Sequence, residues 1–425
     1  MKNLIKKLIK NKTFVVFFLF FAITFPTAIY QKSEFEKQAI MTSIGIDKKD
    51  DKYEFCALMV VEESPTKISS NVKLVSGKGE NISEAVYKLS VSLGKEIGLA
   101  HCDSIVIGKG LDDDNLVEVL DYFVRSTNLA KNTNLVYCPG EAKELLQTNT
   151  ENKDENGITF SKLVSTGSDY LALSEMNIEE FYARYFTKSP VAWVTIVKVE
   201  EQDNGSSLNS SQGGESSGGG SEQGGSEGGG GSGGTQSGNS QPEKIIKCKG
   251  DFALYNKGKK VAEFSGDEAN VFNILNPYTK HGFMLLENVE DNGELKRNLG
   301  VSIVQKKIDV NYKFDGDVAV LNINLKLLVS LQEMQSARES IKDLDATKTH
   351  ISDTIKTAIN NKLQENLAKI VAKAYSTNSD LFAINDRLFK FKNKEYLKKV
   401  SAIEQQNNFI ENSVVNLNVK VEAKL

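Results

Sequence analysis

The sequence predicts an α+β protein of several domains, in which mixed sheets pack against helices behind an amino-terminal membrane segment. Three observations lead to this prediction. An uncharged apolar run lies near the start, strand and helix patterns alternate through the first half, and a long amphipathic helix stands among strictly alternating strands near the end. Because such helices and strands each have one apolar side, we expect them to pack in layers.

The apolar run extends from Thr13 to Ile29, and five lysines precede it. As a helix it would be about 26 Å long, at the short end of what spans a membrane. The positive-inside rule keeps the lysines in the cytoplasm and places the following chain outside. The run could be cleaved as a signal or retained, and we favour a retained anchor because Pro26 lies unfavourably close to a cut after Ala28. A buried helix of a soluble domain is the remaining alternative.

The composition bounds the number of domains and the classes of partner. With 425 residues and 40% apolar content, the chain can form two or three domains. A net charge of −4 and a pI near 5.7 give no reason to expect nucleic acid as a partner. The cysteines are scattered singly, without zinc or redox spacing, so we expect buried free thiols at Cys56, Cys102, Cys138 and Cys248.

The predicted domains follow from these patterns and from one low-complexity segment. Residues 205–241 contain fifteen of the 32 glycines and eleven serines, a composition that cannot form a core. The predicted boundaries are 1–30 for the anchor, 31–201 for an α/β domain, 202–242 for a Gly/Ser-rich disordered linker, 243–300 for a small second domain, and 301–425 for an α+β domain with a long helix on an antiparallel sheet.

The first domain begins with a predicted hairpin of two strands, Ala39–Asp47 and Tyr53–Val61. A helix over Asn81–Leu93 follows, with Asn81 as its N-cap, and then a short strand over Ser104–Gly108.

Three acids, Asp112, Asp113 and Asp114, precede the next helix. They suit the positive end of its dipole better than a metal cluster. A further helix over Leu173–Tyr182 leads to a buried strand over Val191–Val199. Its Trp193, the only tryptophan, is predicted to be a core aromatic, with ligand stacking as the alternative.

The second half starts with a predicted hairpin, Gly250–Tyr255 and Val261–Phe264, and a helix over Ser265–Leu275. Glu268 is interpreted as an acid of that helix's first turn, and a catalytic role is the alternative. Two alternating strands, a long helix and a final alternating strand complete the chain. Their apolar positions are Ile308, Val310, Tyr312 and Phe314; Leu321, Ile323, Leu325 and Leu327; Ile351, Ile355, Ile359, Leu363, Leu367, Ile370 and Ala374; and Val415, Leu417, Val419, Val421, Ala423 and Leu425.

The order of several short motifs resembles the Ger(x)C family of spore germination proteins, the C subunits of germinant receptors. These motifs are Ala39-Ile40 with Gly45-Ile-Asp47, His101 with Ile105–Gly108, Leu120–Arg125, Gly140–Leu146, Asn378–Phe382 and the basic stretch Arg387–Lys394. The resemblance covers nearly the whole chain outside the membrane segment and the linker. It implies a Ger(x)C-like body and a variable loop at the position of the linker.

Two positions depart from the family pattern. The family's lipobox cysteine and following Trp-Asp would fall at Ile29, Tyr30 and Gln31, and none of these matches. We therefore do not expect lipidation, and the apolar run is the expected substitute anchor. Tyr396 stands where the family often has tryptophan in a Trp-lysine pair.

No catalytic, cofactor-binding or metal-binding residue is predicted. His101, His281 and His350 lie far apart, and the adjacent His101 and Cys102 would point to opposite faces of a strand. The resemblance implies a non-catalytic receptor subunit on the outer face of the inner spore membrane, acting with integral-membrane A and B subunits in nutrient-triggered germination. The alternative is an exported, membrane-anchored binding or wall-associated scaffold without a role in germination.

Overall fold

The computed structural model describes residues 20, 37–61, 71–126, 128–151, 175–201, 244–277, 279–291, 294–336, 351–404 and 412–423. The predicted membrane run lies outside these ranges except for residue 20, and so does the predicted linker. In the part of the chain that is described, no helix combines the length and apolar character needed to cross a membrane.

The described part of the first half alternates strands and helices. In chain order these are β1 (Gln38–Lys49), β2 (Lys52–Val61), β3 (Asn71–Gly79), α1 (Ile82–Leu93), β4 (Glu96–Gly98), β5 (Ser104–Gly108), a 3₁₀ turn (Lys109–Leu111), α2 (Leu116–Arg125), β6 (Asn134–Cys138), α3 (Ala142–Glu151), α4 (Ile178–Tyr185), β7 (Val191–Ile196) and β8 (Lys198–Glu201).

The described part of the second half has longer strands and the longest helix. Its elements are β9 (Lys244–Lys247), β10 (Phe252–Asn256), β11 (Lys259–Phe264), α5 (Gly266–Leu275), β12 (Gly282–Asp291), β13 (Glu294–Asp315), β14 (Val318–Ser336), α6 (Asp353–Ser376), α7 (Ile384–Phe391), α8 (Asn393–Glu404) and β15 (Ser413–Ala423).

The first sheet has nine strands in the order β11-β10-β7-β6-β5-β1-β2-β3, with β4 beside β1. The predicted first hairpin is confirmed, since β1 and β2 pair antiparallel. The cap of α1 is confirmed as well, because the Asn81 side chain accepts a hydrogen bond from Glu84 N at 2.9 Å. Strands β1, β5, β6 and β7 run parallel to one another, so the sheet is mixed.

Helices cover both faces of this sheet. Apolar residues of α1, α2 and α4 belong to the main core, whereas α3 packs on the opposite face with the short β8–β9 pair. The predicted strand over Val191–Val199 is divided, because β7 is fully buried in the large sheet while β8 pairs with β9.

The second sheet has the order β12-β13-β14-β15. The predicted alternation on β14 is confirmed, with Leu321, Ile323, Leu325 and Leu327 all buried. The prediction that this sheet is antiparallel is wrong for its last strand, since β15 runs parallel to β14. Helix α6 carries the chain back along the sheet before β15 begins, and such a crossover produces a parallel pair.

Residues 243–300, expected to form a small domain, instead contribute to both large sheets. The predicted hairpin over 250–264 exists as β10 and β11, but β10 pairs with β7 of the first sheet. Strand β12 pairs with β13 of the second sheet. The main apolar core consequently runs without interruption from one sheet to the other.

The apolar stripe of α6 faces inward as predicted. Helix α6 buries Ile355, Ile359, Leu363, Leu367, Ile370 and Ala374, together with Asn366. It packs against β12, β15 and α5. Lys362, which the periodicity places on the outer face, is partly buried, since its Nζ donates to Leu285 O at 2.8 Å and pairs with Asp267 at 2.8 Å.

Candidate functional site

A cavity of about 550 Å³ lies at the junction of the two sheets and is the strongest candidate site in the described part of the chain. Five regions of the described chain contribute to its wall, and α4 supplies Arg184. Trp193 comes from β7, Phe272 from α5, and Tyr312 and Leu321 from β13 and β14, while the segment around α7 contributes Arg387. The cavity exists only because the two sheets are held side by side.

Trp193 forms the wall on the side of the first sheet. Its side chain is 7% exposed and contacts Phe272 edge to face, with ring centroids 5.0 Å apart. The Arg184 guanidinium carbon lies 4.0 Å from the Trp193 ring centroid, in cation–π geometry. The residue is therefore the predicted core aromatic and also a wall of the cavity. Its Nε1 is buried and has no hydrogen-bond partner among the described residues.

Three cationic side chains among the described residues line the cavity, Arg184, Arg387 and Lys392, and they differ in what they contact. Arg184 is neutralised by Glu180, with Nη2 to Oε1 at 2.9 Å. Arg387 is exposed and pairs with no described carboxylate, and its guanidinium lies 5.9 Å from the Phe391 ring centroid. No acidic residue is among the described residues that line the cavity. The site thus has a positive charge available at an apolar surface.

A buried hydrogen-bond cluster holds the start of α7 against the first sheet. Ser189 Oγ donates to Asp380 Oδ2 at 2.6 Å and accepts from Asp386 N at 3.0 Å. Asp380 also accepts from Ile384 N at 2.9 Å and Asn385 N at 2.7 Å, so it caps the amino end of α7. Burial raises the pKa of the Asp380 carboxyl. The cluster joins residues almost 200 positions apart.

The histidines and cysteines considered in the sequence do not form a reactive pair. His101 is exposed, whereas Cys102 is buried. The Sγ atom of Cys102 donates to Ser104 O at 3.4 Å. His281 is exposed, and His350 lies outside the described residues.

Burial keeps the described thiols protonated. It raises the pKa of Cys102 to about 12 and the pKa of Cys138 and Cys248 to about 11, and it raises that of Cys56 further. All four are free thiols.

Two of the three acids before α2 form ion pairs with lysines of other elements. Asp112 accepts from Tyr137 Oη at 2.9 Å and pairs with Lys260 Nζ at 2.7 Å. Asp114 pairs with Lys48 at 2.9 Å. Helix α2 begins at Leu116 behind the N-cap Asn115, so the three acids precede it as the sequence indicates. Their interaction with the helix dipole stays a prediction, and two of them are also paired with lysines. In the described ranges no three acidic, histidine or cysteine side chains are placed to hold a metal ion.

Glu268 lies in the first turn of α5 as predicted, and it also pairs with Lys373 of α6 at 3.2 Å. This contact joins two packed helices.

The motif Gly45-Ile-Asp47 has a structural role, and the close packing around it accounts for the glycines at positions 45 and 108. Asp47 Oδ2 accepts from Ala142 N at 2.6 Å and caps α3. A Cβ at Gly108 would lie 1.6 Å from Asp47 Oδ1, and a Cβ at Gly45 would lie 2.7 Å from Cys56 Sγ. Burial raises the pKa of the Asp47 carboxyl to about 6. These motif residues build the first sheet and lie outside the cavity lining.

Sequence reasoning did not single out Ser189, Asp380 or Arg387 as site residues. Asp380 and Arg387 belong to motifs that carried only the family resemblance. The available signal was a basic stretch that contains aromatic residues, Arg387–Lys394, but its partners lie on other elements far along the chain.

Comparisons with known proteins identify related chains. A family model described as "Spore germination protein N-terminal domain" matches residues 31–199. A second model, "Spore germination B3/ GerAC like, C-terminal", matches residues 251–424. Together the two models cover most of the chain.

Two individual proteins are similar to this chain. "Putative spore germination protein YfkR" of Bacillus subtilis (strain 168) is 25% identical over 134 residues, which are 29% of this chain and 35% of that protein. The match thus spans about a third of that relative's length. A solved structure entitled "Crystal Structure of the GerBC protein" superposes with a TM-score of 0.49 and 14% identity, over 90% of this chain and 97% of that one.

Proposed function

The chain belongs to the Ger(x)C family of spore germination proteins, and we propose that it is the C subunit of a germinant receptor. The observation that supports this role is the pair of family models, whose matched ranges include strands of both large sheets. In this proposal the chain takes part in nutrient-triggered germination and carries out no catalytic step.

The proposed location is the outer face of the inner spore membrane. The apolar run from Thr13 to Ile29 would hold the body there as a retained anchor, since no lipobox cysteine precedes residue 31. Protease added to intact protoplasts that express the chain should then degrade the body. Survival of the body until lysis would contradict this topology.

The proposed partners are integral-membrane A and B subunits, and the proposed task is to transmit a conformational signal by contact. The continuous core and the Ser189–Asp380 hydrogen bond favour this task, because packed and hydrogen-bonded groups connect the two sheets. A displacement imposed on one sheet would reach the other through packed groups.

Affinity purification of the tagged full-length chain from spore membranes tests the proposal. We expect two integral-membrane proteins to be recovered with it in constant ratio. A matched control carries residues 1–30 fused to an unrelated soluble domain and should recover neither. Recovery of wall-associated proteins without membrane partners would instead favour the scaffold alternative.

A further inference from the structure

We propose that the cavity between the two sheets is a binding site for a small organic anion with an apolar body, such as an aryl or alkyl carboxylate. The proposal goes beyond the receptor role, which assigns no ligand to this chain. It can be tested on the purified protein alone, so its failure would leave the receptor role untouched.

The size and position of the cavity suit a small molecule. Its volume of about 550 Å³ falls within the range of about 300–1,000 Å³ that is typical of ligand sites. Such sites occur preferentially at junctions between structural units, and this cavity lies where β7, α5, the second sheet and α7 meet.

The wall predicts an apolar ligand body. Phe272, Leu321 and Ile323 are buried side chains that line it. Two further lining residues are large, apolar and exposed, namely Val310 at 47% and Phe391 at 68%. Because exposed apolar groups beside a cavity lose contact with water when a ligand covers them, burial of these two side chains would favour binding.

The charges of the wall predict an anion. Arg387 and Lys392 line the cavity, and neither is paired with a described carboxylate. The acids of the α7 region are already engaged. Asp386 pairs with Lys390 at 2.7 Å, and Asp380 accepts the hydrogen bonds described above. Since the described lining contains no acid, a cationic ligand would be repelled, whereas a carboxylate can bind Arg387 through two parallel hydrogen bonds.

An unused donor in the wall agrees with this chemistry. Trp193 Nε1 can only donate, and it has no acceptor among the described residues. A buried donor without a partner costs free energy, which an oxygen of a bound ligand would recover. The Nε1 atom is covered, so a small side-chain movement must accompany that contact.

A second groove is less suitable as a binding site for an anion. It runs between β12 and α6 and has a volume of about 880 Å³. Two of its lysines already pair with carboxylates, Lys362 with Asp267 at 2.8 Å and Lys369 with Glu365 at 2.7 Å. Its charges therefore offer no free cation comparable to Arg387.

Trp193 makes the test specific to the site, because it is the only tryptophan of the chain and lines the cavity. The purified full-length chain in detergent is titrated with 3-phenylpropionate, hexanoate and benzoate while tryptophan emission is recorded. The neutral 3-phenylpropanol and the cationic 3-phenylpropylamine serve as charge controls. We expect a saturable change with at least one carboxylate and at least tenfold weaker binding of the corresponding neutral or cationic compound.

Matched variants assign the charge. Arg387→Met should weaken carboxylate binding at least tenfold and leave binding of the alcohol unchanged. Lys394→Met removes a cation from the same basic stretch outside the lining and should have no effect. Val310→Glu, at an exposed lining position, should also abolish carboxylate binding while the melting temperature stays unchanged.

Two results would overturn the proposal. One is the absence of a saturable change with all three carboxylates up to about 10 mM, which corresponds to negligible affinity. The other is saturable binding that is equal for acid, alcohol and amine, or that Arg387→Met does not weaken.

Discussion

The hydrogen bond from Ser189, just before β7, to Asp380, just before α7, is predicted to help hold α7 against the first sheet. Ser189→Ala removes a 2.6 Å hydrogen bond to a buried carboxyl, and leaving a buried polar group without its partner costs about 1–3 kcal/mol. It also removes the acceptor of Asp386 N. Asp380→Ala should cost more, because it removes the cap of α7 in addition, for which about 1 kcal/mol is typical.

A double-mutant cycle with these two substitutions measures the contact. Urea unfolding of the full-length chain, followed by Trp193 fluorescence, should give a coupling free energy of about 1–3 kcal/mol between them. Ser376→Ala is the matched control, since the Ser376 hydroxyl donates only to Lys373 O at an exposed position, and it should cost less than about 0.5 kcal/mol. The reasoning would be refuted if the effects of the two substitutions on the unfolding free energy were strictly additive. It would also be refuted if Ser189→Ala lowered the unfolding free energy no more than the control does.

Three further predictions concern the core, the pH dependence of stability and the linker. Leu363→Ala should lower the unfolding free energy by about 2–5 kcal/mol, because Leu363 is fully buried. The control Asn361→Ala, on the exposed face of α6, should change it by less than about 0.5 kcal/mol. Equal effects of the two substitutions would contradict the packing of α6. Asp47 has a raised pKa in the folded state, so the folded protein binds more protons than the unfolded chain between about pH 4 and about pH 6. The unfolding free energy of the wild type, relative to that of Asp47→Asn, should therefore fall by up to about 3 kcal/mol as the pH rises through this window. A rise would contradict the assignment. Replacing residues 205–241 by a short flexible linker that spans the native gap should leave the melting temperature nearly unchanged; a loss of several degrees with lost cooperativity would show that the segment packs.

Local patterns in the sequence predict the elements well where neighbours along the chain decide the structure. The hairpin of β1 and β2, the cap at Asn81 and the stripe of α6 all follow from period and capping within about twenty residues. These features depend on which side of an element is apolar, and that information is contained in the segment itself.

Pairing partners and strand directions are decided by distant residues. The alternation of β15 predicts an apolar side but is the same for a parallel and an antiparallel neighbour, so its direction could not be predicted. For the same reason β10 looks like part of an independent hairpin, although it pairs with β7.

The candidate site is the least predictable part, because it consists of contacts between distant segments. Asp112 and Lys260 are 148 positions apart, and Ser189 and Asp380 are 191 apart. An acid near a helix start gives no signal that a lysine of another strand will neutralise it. The cavity likewise requires Trp193 and Arg387 to meet at one junction, which follows only from the packing of the two sheets.

The most direct measurement of the receptor role is nutrient-triggered germination of spores from which the chain has been deleted in frame. We predict that these spores stay dormant with the nutrient that the receptor detects, and that a copy of the wild-type chain restores germination. A copy without the membrane run, residues 13–29, should be made but should fail to restore it. Germination of the deletion spores at the wild-type rate with every nutrient that triggers the parent would contradict the role.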